Sequence, residues 1–213
     1  HSAGFDAEGF NPDYADPSVL ERLGVDPERP VVLFVGRLAA RKGIFDMVEI
    51  FKTARGSFPE SQLVIVGEGP QERALRQRIA RSGLTEAVHM TGPVQFPDLQ
   101  ALYATCDVVL YPSFWEGQGL IVGEAWASGT PVIAAEVGWV PEVIRQGENG
   151  FSHPVRDVTT AAGQLERVLG DPDMAVAMGR TGRADVLASH TWDHHVDKLE
   201  AVYKMVMEDD RHP

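Results

Sequence analysis

Apolar residues fall along this chain in two rhythms. Short unbroken runs rich in β-branched residues occur at 31–36 (VVLFVG), 62–67 (QLVIVG), 107–112 (DVVLYP) and 131–135 (PVIAA). Such runs, bounded by glycine or proline, mark strands buried on both faces of a parallel sheet. Residues 87–91 and 150–153 are shorter runs of the same kind. Between the runs, apolar positions recur at helical spacing. Within 44–54 they are Ile44, Phe45, Met47, Val48, Ile50, Phe51 and Ala54, which form one stripe on a helix. Residues 70–82 begin at a proline and stop before Gly83, the start and stop signals of a helix. Shorter helices are predicted over 97–105, 119–128 and 140–146. Beyond Val155 the pattern is wholly helical, over 158–169, 172–189 and 192–207. The first thirty residues are rich in Pro, Gly and Asp. They predict an irregular leader with one short helix near 17–23.

Strands alternating with helices predict an α/β fold, a doubly wound parallel sheet of Rossmann-like type. Ligands of such sheets lie beyond the carboxyl ends of the strands, where the strand order reverses. Chemistry is therefore expected in the loops after Gly36, Gly67, Thr91, Pro112 and Ala135. The chain has 213 residues, 44% of them hydrophobic and 23% charged, enough for a sizeable core and against disorder. The expected organisation is a leader over 1–28, a Rossmann-like body over 29–190, and a C-terminal helix and tail over 191–213. No apolar run reaches the ~18 residues of a membrane span. The opening residues lack the basic-then-apolar order of a signal peptide, and the chain's acidity leads to the expectation of a cytoplasmic protein. The single cysteine, Cys106, cannot form an internal disulfide and excludes a cysteine-rich zinc site.

Charge narrows the partners. The formal net charge is −12. A field of that sign repels nucleic acid and anionic membranes. It also repels small anions, so a phosphorylated ligand needs a local basic cluster. Arg37, Arg41 and Lys42 supply one, in the loop Gly36-Arg37-Leu38-Ala39-Ala40-Arg41-Lys42-Gly43 that follows the first strand. Gly36 lets a ligand approach the backbone closely. Arg37 offers a planar fork and Lys42 a point charge, a pair suited to a diphosphate. The loop matches neither the dinucleotide fingerprint nor a Walker loop, which disfavours a generic NAD-binding module.

A second chemical segment runs from Pro112 to Ala125 (PSFWEGQGLIVGEA). A strand ends at Pro112, a glycine-rich turn follows, and a helix opens near Gly119. The free amides and positive dipole end of that helix form an anion site. Glu116 falls in the loop and Glu124 one to two turns into the helix. A carboxylate accepts from adjacent hydroxyls, which a sugar or ribose supplies, and each charged hydrogen bond contributes about 1.5–3 kcal/mol.

The combination of Glu116…Glu124 (E-x7-E) with Gly36–Gly43 (G-R-L-x-x-x-K-G) resembles the donor-binding half of the retaining GT-B glycosyltransferases of family 4. Glu124-Ala125-x-Ala127-x-Gly129-x-Pro131-Val132, GENGF at 147–151 and Thr191-Trp192 resemble the same family, and the likeness covers residues 5–207. The resemblance implies transfer of a glycosyl group from a nucleoside-diphosphate sugar (UDP, GDP or ADP) to an acceptor, with no cofactor and no metal. It implies that Arg37 and Lys42 contact the donor diphosphate and Glu116 the sugar hydroxyls. The amides of Gly119, Leu120 and Ile121 would hold sugar or phosphate, Glu124 the ribose, and main chain near Val94 the base. Gln118 departs from the family's usual Phe in E-G-F-G. The resemblance also implies that the acceptor-binding N-terminal domain, with its glycine-rich loop and histidine, is absent from this chain. The expected partner is that domain, in the same parent chain or as a separate subunit, so this fragment alone is expected to be inactive. Two alternatives stand beside this reading: a non-catalytic nucleotide-sugar-binding subunit, and a sugar-nucleotide epimerase on a related fold.

Other residues carry plainer expectations. His1, His89, His153, His190, His194, His195 and His212 lack metal-ligand spacing and are expected to be solvated or satisfied in the core. Cys106, Trp126 and Met47 are expected in the core, and Trp139 is a candidate for lining the sugar pocket.

Overall fold

The computed structural model describes residues 4–209; His1 and His212 lie outside them. Six strands form one parallel sheet: β1 (Val31–Val35), β2 (Gln62–Val66), β3 (Val88–Gly92), β4 (Val108–Tyr111), β5 (Val132–Ala135) and β6 (Phe151–His153). Their order is β3-β2-β1-β4-β5-β6. The central strands pair in simple register, Leu33 against Val64 on one side and against Val109 on the other. All six strands lie where apolar runs predict them. The expected alternation of strands and helices, with cores on both faces, is what the structure shows.

The helices are α1 (Ser18–Arg22), α2 (Ile44–Arg55), α3 (Glu72–Arg81), α4 (Phe96–Thr105), α5 (Leu120–Ala127), α6 (Val140–Val143), α7 (Val158–Gly170), α8 (Pro172–Ser189) and α9 (Trp192–Asp209). Alternate strand residues face opposite layers, as the period of two requires. Val32, Phe34, Leu63, Ile65 and Leu110 pack with Met47, Phe51, Leu75 and Leu165 of α2, α3 and α7. Val31, Leu33, Val64, Val109 and Tyr111 pack on the other face with Leu102, Tyr103, Val122 and Trp126 of α4 and α5. Cys106 and Trp126 are buried as expected.

Two segments differ from the sequence pattern. The helix expected over 140–146 closes after one turn, at Val143. The buried Asn149 ends it: its Nδ2 donates to Val143 O at 2.9 Å, and its Oδ1 accepts from Arg145 N at 2.8 Å. The leader has little regular structure, yet Phe5, Phe10, Val19 and Leu20 are buried in the second core. Phe5 bridges Thr191 in parallel, and its amide donates to His190 O at 2.8 Å. From Thr191 the chain runs into α9, whose Trp192, Val196, Leu199, Val202, Tyr203 and Val206 are all exposed. No helix among the described residues is long and apolar enough to cross a membrane.

Candidate functional site

The strand order reverses between β1 and β4, which are neighbours in the sheet. Their following loops therefore lie side by side at the carboxyl edge. The contact is close at Gly43, whose φ is +68°: a Cβ there would sit 1.8 Å from Pro112 O. Only glycine fits that approach in the left-handed region. The loops are also stitched by Phe114 N, which donates to Arg41 O at 2.8 Å. A single 3-10 turn, Ala40–Lys42, carries Lys42 back toward β4.

Lys42 and Glu116 meet there. Lys42 Nζ lies 2.5 Å from Glu116 Oε1, with the two side chains 16% and 10% exposed. Ser113 Oγ donates to the same oxygen at 2.6 Å. Lys42 Nζ also sits 5.8 Å from the centroid of the Tyr111 ring. Burial pushes the Glu116 carboxyl up, but hydrogen bonds from Lys42, Ser113 and Tyr111, with the Lys42 charge, outweigh it and hold the group below the usual carboxylate range. Burial and the nearby Glu116 push the Tyr111 hydroxyl up. On the outer side of the loop, Arg41 lies 5.9 Å from the ring of the exposed Trp115, and Arg156 lies 4.6 Å from the ring of Phe114.

At the ends of β1, β2 and β3 an open cleft of about 760 Å³ is lined by Gly36, Arg37, Gly67, Glu68, Gly69, Pro70, Glu72 and Pro93. Its walls are joined by Leu38 N, which donates to Glu68 O at 2.9 Å, and Gln71 N, which donates to Leu38 O at 3.0 Å. Arg37 is exposed and, among the described residues, makes no ion pair. Val94 follows Pro93 at the rim, half-buried. Arg37, Gly36 and the Pro93–Val94 turn thus gather at the ends of β1, β2 and β3.

Helix α5 opens at Gly119, and the amides of Leu120 and Ile121 belong to its first turn, which has no internal acceptors. Glu124 lies one turn further in. Its Oε2 accepts from the hydroxyl of the fully buried Tyr103 at 2.8 Å. Burial raises the Glu124 carboxyl, and the Tyr103 hydrogen bond only partly offsets it. The structure therefore brings Lys42 and Glu116 into contact and ties Glu124 to Tyr103 instead.

Ser113, Tyr111 and Tyr103 are the partners that sequence patterning misses; only Ser113 had a signal, its place in the loop after Pro112. Trp139 packs largely into the second core, with its indole Nε1 3.3 Å from where a Cβ of Gly119 would lie. It is 7% exposed and stacks on Phe5 at 5.2 Å, with Trp126 and His190 edge-on. Of the histidines, His153 is buried and His89 and His190 are half-buried; His153 Nδ1 pairs with Pro154 O at 2.9 Å, while the buried atoms His89 Nε2, His153 Nε2 and His190 Nδ1 have no hydrogen-bond partner among the described residues. Burial lowers the pKa of all three. Among the described residues, no three His, Cys, Asp or Glu side chains come together as metal ligands.

Residues 17–185 match the family "Glycosyl transferases group 1". The chain is 36% identical over 203 residues to a GDP-mannose-dependent alpha-(1-6)-phosphatidylinositol monomannoside mannosyltransferase of Mycobacterium tuberculosis, covering 92% of this chain and 53% of that protein. Among solved structures, sucrose-phosphate synthase from Thermosynechococcus elongatus superposes with a TM-score of 0.84 at 28% identity, over 97% of this chain and 52% of that one. Anabaena Alr3699/HepE in complex with UDP-glucose superposes with a TM-score of 0.80 at 25% identity, over 93% and 56%. The chain thus spans about half the length of the relatives it matches. With the reversed strand order, the glycine-rich loops and the Lys42–Glu116 pair at the sheet's carboxyl edge, these likenesses place the chain in the group 1 family of glycosyl transferases, with a GT-B-type Rossmann-like fold.

Proposed function

We propose that this chain is the nucleotide-sugar-binding half of a retaining glycosyltransferase of family 4. The donor lies across the ends of β1, β2 and β4. The observation that carries this reading is the meeting of Lys42 and Glu116 at the point of strand reversal, on the same β1 loop that carries Arg37 into the cleft. In this reading Arg37 and Lys42 bind the diphosphate, and Gly36 lets it approach the backbone. A phosphate oxygen and a sugar hydroxyl take the places that Lys42 and Glu116 give each other. The amides of Gly119, Leu120 and Ile121 hold sugar or phosphate, Glu124 accepts from the ribose, and main chain at Val94 meets the base.

The chemistry asked of these groups is electrostatic. Negative charge grows on the departing diphosphate, and fixed cations and a helix terminus stabilise it where water is excluded. No divalent ion is required in this scheme. The second, acceptor-binding domain completes the cleft, so the 213-residue chain alone binds donor but transfers no sugar.

The relatives' names supply the probes: GDP-mannose for one and UDP-glucose for another. Calorimetry of UDP, GDP and ADP in EDTA tests the reading, with one nucleotide expected to bind. Absence of binding by all three at millimolar concentration refutes it. Unchanged affinity in Glu124→Ala removes Glu124 from the ribose.

A further inference from the structure

The two oxygens of the Glu116 carboxylate are not equivalent. Lys42 Nζ at 2.5 Å and Ser113 Oγ at 2.6 Å both donate to Oε1, and the Tyr111 hydroxyl is a third donor beside the group. Ser113 is fully buried at the end of β4. Its hydroxyl has two further oxygen neighbours, Arg41 O at 3.1 Å and Trp115 O at 3.3 Å. A hydroxyl has one proton to give, and all three neighbours are acceptors. The proton goes to the charged oxygen, which is also the shortest contact. Lys42 is half-buried on a 3-10 turn and reaches the carboxylate through a long flexible stem. Ser113 is the short, enclosed partner.

We infer that Ser113 is a positioning residue: it pins Oε1 of Glu116, so that the carboxylate keeps its orientation toward the donor sugar's hydroxyls when Lys42 leaves it. The inference rests on the donor-site reading above. A carboxylate already held in one orientation meets the sugar hydroxyls without first losing rotamer freedom, which favours the sugar nucleotide over its bare diphosphate.

The test uses the 213-residue chain with Ser113→Ala, which removes the donor, and Ser113→Thr, which keeps it. Where the added methyl of Thr prevents folding, Ser113→Cys, a near-isosteric weak donor, takes its place and gives intermediate values. One readout is carbon-13 NMR titration of the Glu116 carboxyl, assigned with Glu116→Gln. The other is calorimetry with GDP-mannose and UDP-glucose, each against its bare diphosphate. In Ser113→Ala the Glu116 midpoint moves up, and the preference for the sugar nucleotide over its bare diphosphate falls about tenfold. Ser113→Thr restores both. An unmoved midpoint in Ser113→Ala overturns the inference. So does an equal loss for sugar nucleotide and bare diphosphate. If the midpoint moves while the unmodified chain binds none of the four probes, the pinning of Glu116 stands and the donor-site reading falls.

Discussion

Gly43→Ala tests whether the two site loops depend on touching each other. The new Cβ would lie 1.8 Å from Pro112 O and 2.6 Å from Pro112 C, both backbone atoms that no rotamer change can move aside. Holding alanine at a φ of +68° costs about 1–2 kcal/mol. Forcing the loops apart costs about a further 1–3 kcal/mol, as overpacking does elsewhere. The sum is about 2–5 kcal/mol, and at about 2–4 °C per kcal/mol for a chain of this size the melting temperature falls by about 10 °C. Gly83→Ala is the internal control. Gly83 has nearly the same φ, +69°, but nothing lies within 4 Å of its added Cβ. It bears the strain without the clash, about 3–6 °C. Calorimetric melting of both variants isolates the steric part by difference. Nucleotide titration of Gly43→Ala then reports whether displacing the loop after β1 carries Lys42 away from Glu116, with a loss of about tenfold expected. Equal melting temperatures for the two variants would refute the steric argument. Unchanged nucleotide affinity would detach the loop contact from the site.

Three other outcomes follow from the same geometry. Lys42→Met should weaken nucleoside-diphosphate binding by tenfold or more in calorimetry. Because the Glu116 pKa is held below its ordinary 4.5, its stabilising contacts act above that pH and are lost as pH falls through the lowered value, so urea melts of Lys42→Met and the unmodified chain should differ at pH 7 and converge in acid. Glu124→Gln should behave in the opposite sense. Burial raises the folded pKa of Glu124, so its favourable protonated form is lost as pH rises through that value; the variant should melt at or above the unmodified chain at pH 7, lose that advantage in acid, and bind nucleotide more weakly by calorimetry. Asn149→Ala leaves Val143 O and Arg145 N without their partner and should cost about 2–4 kcal/mol, read by differential scanning calorimetry.

The strands are legible because a parallel strand covered on both faces has to be apolar nearly throughout, and 31–35, 63–66 and 108–111 are. The edge strand Val88–Gly92 is fainter in sequence for the same reason: it is only partly covered. The single turn of α6 was not legible. Val140 to Gln146 has helical texture, and the residue that stops it, Asn149, acts from the following loop through its side chain. Nor could composition show that Phe5 and Phe10 are core residues, since what covers them includes Gly123 of α5 and Tyr103 of α4. At the site, the loops were legible from topology and the charged residues from their chemistry. Which atoms face each other was not. Lys42 turns to Glu116, Glu124 to Tyr103, and Trp139 inward to Phe5, and each of these orientations is decided by packing between segments far apart in sequence.

The bridge between Phe5 and Thr191 has a mechanical meaning. The chain enters and leaves the folded body at one spot, with the Phe5 amide fastened to His190 O. Because the two segments run in the same direction, tension on the incoming and outgoing chain slides them past one another instead of peeling them apart. The amide of Phe5 is the proton whose exchange should report the release of this clasp.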